Sequence, residues 1–252
     1  MLHWLKRHQM PIKTFMDFTL GLTFALPRAA LEPLLAPGLT LDTHEDYGLM
    51  AIAMVQSRGL RPAFLPPVLG IDFFLTGYRI FTRYTSASGR TLRGLQILRS
   101  DTDQRLMVWL GNMLTGYNYR KAEVTIQCVA AGRRSIHVRT PGSEADLILT
   151  ADFAPDCPAL SHKSPFKTEA DARRYSGPLP YTFNYEHATH SMVIIRGVRQ
   201  EWRPRLITVD LQRATYFDQP RFRGFEPVLA SAFCVEGVPY RWERGVLEHL
   251  PG

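Results

Sequence analysis

The sequence predicts a mainly β protein of antiparallel strands with a few short helices, closed as a barrel or paired as a large sandwich. Apolar residues recur with period two from Phe18 to Leu26, the pattern of a half-buried strand. About ten strand-length segments follow one another, separated by short Gly and Pro turns. Few segments carry the three- and four-residue spacing of a helix.

The elements follow in order. Residues 14–26 form the first strand, and residues 27–36 a short helix opened by Pro27 and ended by Pro37-Gly38. Residues 49–56 are a near-continuous apolar strand. Residues 71–84 and 91–98 make a hairpin around Ser88-Gly89. Between residues 100 and 114 the period changes: Leu106, Leu110 and Leu114 recur every four residues, and Ser100 or Asp101 can cap the helix they predict. Strands are expected at 122–130, 135–139 and 145–151, and a second helix at 165–175 capped by Ser164. The remainder reads as strands at 181–185, 191–195, 206–211, 228–235 and 238–242. No repeat or linker divides residues 1–252, and the stretch 155–164 reads as a loop inside one domain.

Composition narrows the class. With 252 residues, 45% hydrophobic and 21% charged, the chain is globular and not disordered. A chain of this length buries about three quarters of its unfolded surface without a disulfide or metal staple. Of its 30 basic residues five are Lys (Lys6, Lys13, Lys121, Lys163 and Lys167), leaving 25 Arg, for a net charge of +7. The arginines are scattered and form no run of five or six, which argues against a nucleic-acid partner. Cys128, Cys157 and Cys234 are odd in number and never adjacent, so a reducing, cytoplasmic setting is expected. No run reaches the roughly 18 apolar residues of a membrane helix. The apolar stretch 15–26 makes a poor secretory signal, because Asp17 interrupts it and Pro27-Arg28 ends it.

The chemistry is concentrated in Gly116-Tyr117-Asn118-Tyr119-Arg120-Lys121-Ala122-Glu123-Val124. Lys121 stands beside the fixed cation Arg120 where a helix meets a strand. A neighbouring cation in a dry pocket lowers an amine's pKa toward the neutral form that attacks carbonyls; at a wet surface the same pair is inert. Arg79 and Arg83 share one face of an aromatic strand with Phe73, Phe74, Tyr78, Phe81 and Tyr84 around them. Facing inward, the arginines would hold a carboxylate; facing outward, the usual fate of arginine, they are simply solvated. His187 and His190, with Glu186 and His162, have a His-x-x-His spacing, but their strand-like flanks point the two rings to opposite faces, so hydrogen-bonded turn histidines are expected and no metal.

The segment 116–124 resembles the Gly-Tyr-Pro-Lys-Lys segment of acetoacetate decarboxylases. Residues 22–35 resemble that family's early strand and Pro-flanked helix, and residues 71–84 with 91–98 its central hairpin, while Pro178-Leu179-Pro180-Tyr181 and the closing Phe233-Cys234-Val235-Glu236-Gly237-Val238-Pro239-Tyr240-Arg241-Trp242 resemble the domain-of-unknown-function branch of the same superfamily. The resemblance implies one cone-like antiparallel β-barrel with an internal cavity for a small organic molecule bearing a carbonyl or carboxylate. It also implies a Schiff-base role for a lysine. The departures are specific. Arg120-Lys121 replaces the family's lysine pair, Leu75-Thr76-Gly77 holds no acid where the family has a glutamate, and no arginine stands near residues 23–25. These argue against acetoacetate decarboxylation itself. Two functions follow: a lysine Schiff-base lyase, with Lys121 the amine, Arg120 its tuning cation and Tyr117, Tyr119, Arg79 and Phe74 around the substrate; or a non-catalytic binder using the same cavity. A basic protein docking on an acidic partner is the third. No cofactor is expected, and self-association is left open.

Overall fold

The computed structural model describes residues 3–154, 159–177 and 179–251. The chain runs β1 (Ile12–Pro27), α1 (Arg28–Leu31), β2 (Leu39–Leu41), β3 (Thr43–His44), β4 (Tyr47–Pro62), β5 (Ile71–Thr85), β6 (Thr91–Thr102) and α2 (Arg105–Leu114). It continues through β7 (Tyr119–Lys121), β8 (Glu123–Ala130), β9 (Arg133–Arg139), β10 (Leu147–Asp152), α3 (Glu169–Ser176), β11 (Tyr181–Glu186) and β12 (Ser191–Arg199). The last strands are β13 (Arg205–Leu206), β14 (Thr208–Ala214), β15 (Val228–Trp242) and β16 (Val246–His249).

Seven strands, in the order β15-β1-β4-β5-β6-β11-β12, close on themselves because residues 197–199 of β12 pair with residues 240–242 of β15. All neighbours in this ring are antiparallel except β6 and β11. A second sheet, β14-β10-β9-β8, lies outside the ring. The expected mainly β architecture is therefore present, with an outer layer that the sequence did not announce.

Strand alternation decides which side chains face which layer. On β1 the even positions Phe18, Leu20, Leu22, Phe24 and Leu26 join Met50, Ile52 and Met54 of β4 and Phe74, Tyr78 and Ile80 of β5. They pack against Ile136, Val138, Leu147, Leu149 and Ala151 of the outer sheet. Each leucine fully buried here contributes about 1.5–3 kcal/mol. The odd positions Thr19, Gly21, Thr23, Ala51, Ala53, Val55, Phe73, Leu75 and Phe81 face the interior of the ring.

Several boundaries differ from expectation for identifiable reasons. Ser100 and Asp101 do not cap α2; they extend the β5–β6 hairpin by pairing with Gly77 and Thr76, and the helix begins at Arg105. Ser164 does not cap α3, because its hydroxyl donates to the Ala230 carbonyl; Thr168 accepts from Asp171 N–H instead. Residues 228–235 and 238–242 form one strand, the turn residue Gly237 being accommodated inside it at φ +66°. Thr208 to Ala214 pairs with β10 in the outer sheet. Cys157 and Pro178 lie outside the described residues. Among the described residues no helix is long and apolar enough to cross a membrane.

Candidate active site

The ring encloses a cavity of about 280 Å³. Its walls are mostly apolar: Met16, Val55, Phe73, Phe81, Leu95, Ile97, Phe233 and Val235 from the strands, Met107, Leu110 and Leu114 from α2. Apolar walls around a few converging polar groups are the usual make-up of a small-molecule site.

The polar groups centre on Arg79. β5 turns Tyr78 and Ile80 toward the outer sheet and Arg79 toward the hollow, so the exposed part of this half-buried arginine is cavity surface, not bulk water. Gly77, two residues earlier on the same face, makes room for it: a Cβ there would sit 2.9 Å from Arg79 Nε. Arg79 Nε is buried with no hydrogen-bond partner, and no carboxylate of the described residues pairs with the guanidinium. Burial lowers its pKa, and the nearby Tyr240, Tyr119 and Tyr117 partly offset the shift. A guanidinium held dry without a counter-charge costs several kcal/mol, which an incoming anion would recover.

Each of the three phenols has its own support. Asn112 of α2 clamps Tyr119 from both sides, its Oδ1 accepting from Tyr119 N–H and its Nδ2 donating to Tyr119 O, both at 2.8 Å. The Tyr119 ring lies against Gly111, where any Cβ would overlap it. Tyr117 packs with Val193 and Ile195 of β12, its ring centroid 6.4 Å from that of Tyr119. Tyr117 Oη is turned toward Thr182 but completes no hydrogen bond of good geometry. Tyr240 packs against Trp242 with the rings tilted by 55° and their centroids 4.6 Å apart, hydrogen-bonds Arg199, and occupies the space a side chain at Gly197 would need. Burial pushes the Tyr119 hydroxyl up to about 12 and the other two upward as well, so all three stay protonated donors at neutral pH.

His8 also lines the cavity. Its Nδ1–H donates to the Glu243 carbonyl at 3.1 Å, which leaves Nε2 as the acceptor. Its backbone is left-handed at φ +56°. Burial drops the imidazole pKa from 6.5 to about 4. The unfolded chain thus binds a proton that folded His8 refuses between those values, and stability falls as pH drops through the window, by about 3 kcal/mol in all. Urea midpoints measured at neutral pH and near pH 4.5 are expected to show this loss in the native chain and a shallower one in His8→Gln; equal slopes would contradict it.

The sequence-selected residues divide. Arg79, Tyr117 and Tyr119 come together in the cavity. Phe74 is turned away from it, 1% exposed in the core between the sheets and 6.3 Å from Phe18. Arg83 is half-exposed and pairs with Asp42 at 2.7 Å. Lys121 and Arg120 are not among the lining residues. Lys121 Nζ donates 2.8 Å to the carbonyl of its neighbour Ala122, while exposed Arg120 pairs with Glu144. The reason is topological. β7 is only three residues long, and at Ala122, which belongs to the inter-sheet core, the chain leaves the ring for the outer sheet. Tyr240, His8 and the supporting glycines escaped sequence reasoning; the only signal was the alternation that puts Tyr240 and Trp242 on one face of β15. His190 bonds Tyr185 Oη in the β11–β12 turn, and among the described residues no group of three or more His, Cys, Asp or Glu side chains is arranged to hold a metal.

Comparison with known proteins agrees with this architecture. An acetoacetate decarboxylase from Legionella pneumophila superposes with a TM-score of 0.62 at 11% identity, over 95% of this chain and 88% of that one. An acetoacetate decarboxylase-like enzyme from Sphingomonas wittichii RW1 gives 0.59 at 13% identity over 97% and 94%. The enduracididine biosynthesis enzyme MppR in complex with pyruvate gives 0.57 at 10% identity over 95% and 90%. At such identities the likeness is one of fold. No curated protein matches the sequence. Residues 16–234 match the family DUF2071, described as an uncharacterized conserved protein, so this chain is a member of DUF2071 built on the acetoacetate decarboxylase-like fold.

Proposed function

We propose that the cavity binds a small organic molecule with an apolar body and a carboxylate, held non-covalently, with the carboxylate on Arg79. The observation that carries the reading is the uncompensated guanidinium of Arg79 inside an apolar chamber. Its planar fork donates to both oxygens of a carboxylate, and the ion pair strengthens where water is excluded. Tyr117, Tyr119 and Tyr240 supply neutral donors around that anchor, suited to a carbonyl or hydroxyl oxygen on the same molecule. We read residues 1–252 as a single domain, because the outer sheet has no core apart from the one it shares with the ring. The unpaired thiols of Cys128 and Cys234 fit a cytoplasmic setting.

Isothermal titration with butanoate, hexanoate and benzoate, each against its primary amide, tests the reading. The amides are expected to bind at least about tenfold more weakly, the equivalent of losing one charge-assisted interaction. Equal affinities would exclude Arg79 as the anchor.

A lysine imine is the second reading, favoured by the fold shared with decarboxylases and a pyruvate-binding enzyme. It requires an amine facing the ligand, and the described lining residues include no lysine. Borohydride reduction in the presence of 2-oxo and 3-oxo acids is therefore expected to leave the protein mass unchanged. A reduced adduct lost in Lys121→Ala would overturn the non-covalent reading in favour of the enzyme.

A further inference from the structure

A second concavity, of about 430 Å³, opens on the surface between the β6 edge and the C-terminal end of α3. Four arginines line it, Arg90 just before β6, Arg93 within it, and Arg173 and Arg174 from the last turn of α3, with Tyr181 beside them. It shares Arg173, Gly177 and Leu179 with the interior cavity, so these residues form the partition between the two. Carboxylates answer only part of this charge. Asp42 is held by Arg93 at 2.6 Å and by Arg83 at 2.7 Å, and Glu169 by Arg173 at 2.6 Å. Arg90 and Arg174 have no ion pair among the described residues. Four lining guanidiniums therefore meet two carboxylates, and one of these, Asp42, is shared with Arg83 outside the pocket.

The pocket is also built, not merely charged. Asp42, 1% exposed, fixes Arg93 through Nε, and the Arg174 carbonyl accepts from Arg93 Nη1 at 3.2 Å. Arg93 Nη2 is left buried with no partner. Guanidiniums so fixed, with donors to spare, match the oxygens of phosphate, whose geometry they can meet in bidentate fashion.

We propose that this pocket binds the phosphates of a small diphosphate-bearing ligand, the excess of positive charge suiting a diphosphate better than a single carboxylate. The site is separate from Arg79 and does not depend on the carboxylate reading of the cavity.

Thermal unfolding of the full chain with inorganic pyrophosphate, at ionic strength matched with chloride, tests it. Pyrophosphate is expected to raise Tm in a saturable way, and Arg90→Gln/Arg174→Gln, exposed substitutions outside the core, to weaken apparent affinity by about tenfold or more. Arg79→Met should keep the pyrophosphate shift, so failure of this site and failure of the cavity reading are distinguishable. A nucleoside diphosphate arm separates sources: tighter binding than pyrophosphate assigns the ligand to a nucleotide stacked on Tyr181, and equal binding assigns it to the phosphates alone. No shift beyond that of chloride, a shift unchanged in the double variant, or equal protection by a single-stranded RNA that titrates away with salt would overturn the proposal.

Discussion

Arg79→Met is expected to make the protein more stable and unable to hold its ligand. Methionine matches the length of the arginine stem and fills the space above Gly77 without bringing a charge into the apolar chamber. Replacing a buried charge by a well-packed apolar side chain is often stabilising, here by about 1–3 kcal/mol. Carboxylate affinity should fall by about 100-fold, because the partner anion would then be buried unpaired. Arg79→Lys keeps the charge but loses the two-pronged geometry, and should fall between the two. Urea denaturation and calorimetric titration read both effects. A variant that is destabilised yet binds carboxylates normally would mean that the guanidinium is a structural group.

Phe74→Ala is expected to give the opposite pair of results. Phe74 is buried where Phe18 of β1 and the outer sheet meet, and removing a core phenylalanine costs about 3–5 kcal/mol. The cavity lies on the other face of β5, so carboxylate affinity of the folded fraction should not change. Its neighbour Phe73 faces the cavity; Phe73→Ala should enlarge it and shift preference toward bulkier apolar bodies. If Phe74→Ala altered ligand selectivity as Phe73→Ala does, the two-faced account of β5 would be wrong.

These two neighbours also show where the sequence was legible. Alternation from Phe18 to Leu26 reads directly as strand, because the face toward the outer sheet carries large apolar residues while the cavity face carries Thr19, Gly21 and Thr23. β5 is harder: both of its faces are buried, one by the second sheet and one by the cavity, so aromatic residues occur on both and the pattern does not say which is which. Arg79 was recoverable as a charge on an aromatic strand, and Tyr117 and Tyr119 as hydroxyls at a helix-to-strand junction. Lys121 looked equally well placed from its spacing. Its side chain misses the cavity because the chain switches sheets one residue later, an event of tertiary structure with no local signature. Tyr240 and His8 reach the site from opposite ends of the chain, brought there by the pairing of β1 with β15.

The account stands on where a bound carboxylate goes. A crystal structure of the protein soaked with hexanoate measures this directly. Both carboxylate oxygens should lie within hydrogen-bonding distance of the Arg79 guanidinium, with the alkyl chain along Phe73, Phe81 and Leu95. A hexanoate found with its carboxylate at Lys121, or a cavity left empty under saturating ligand, would contradict it.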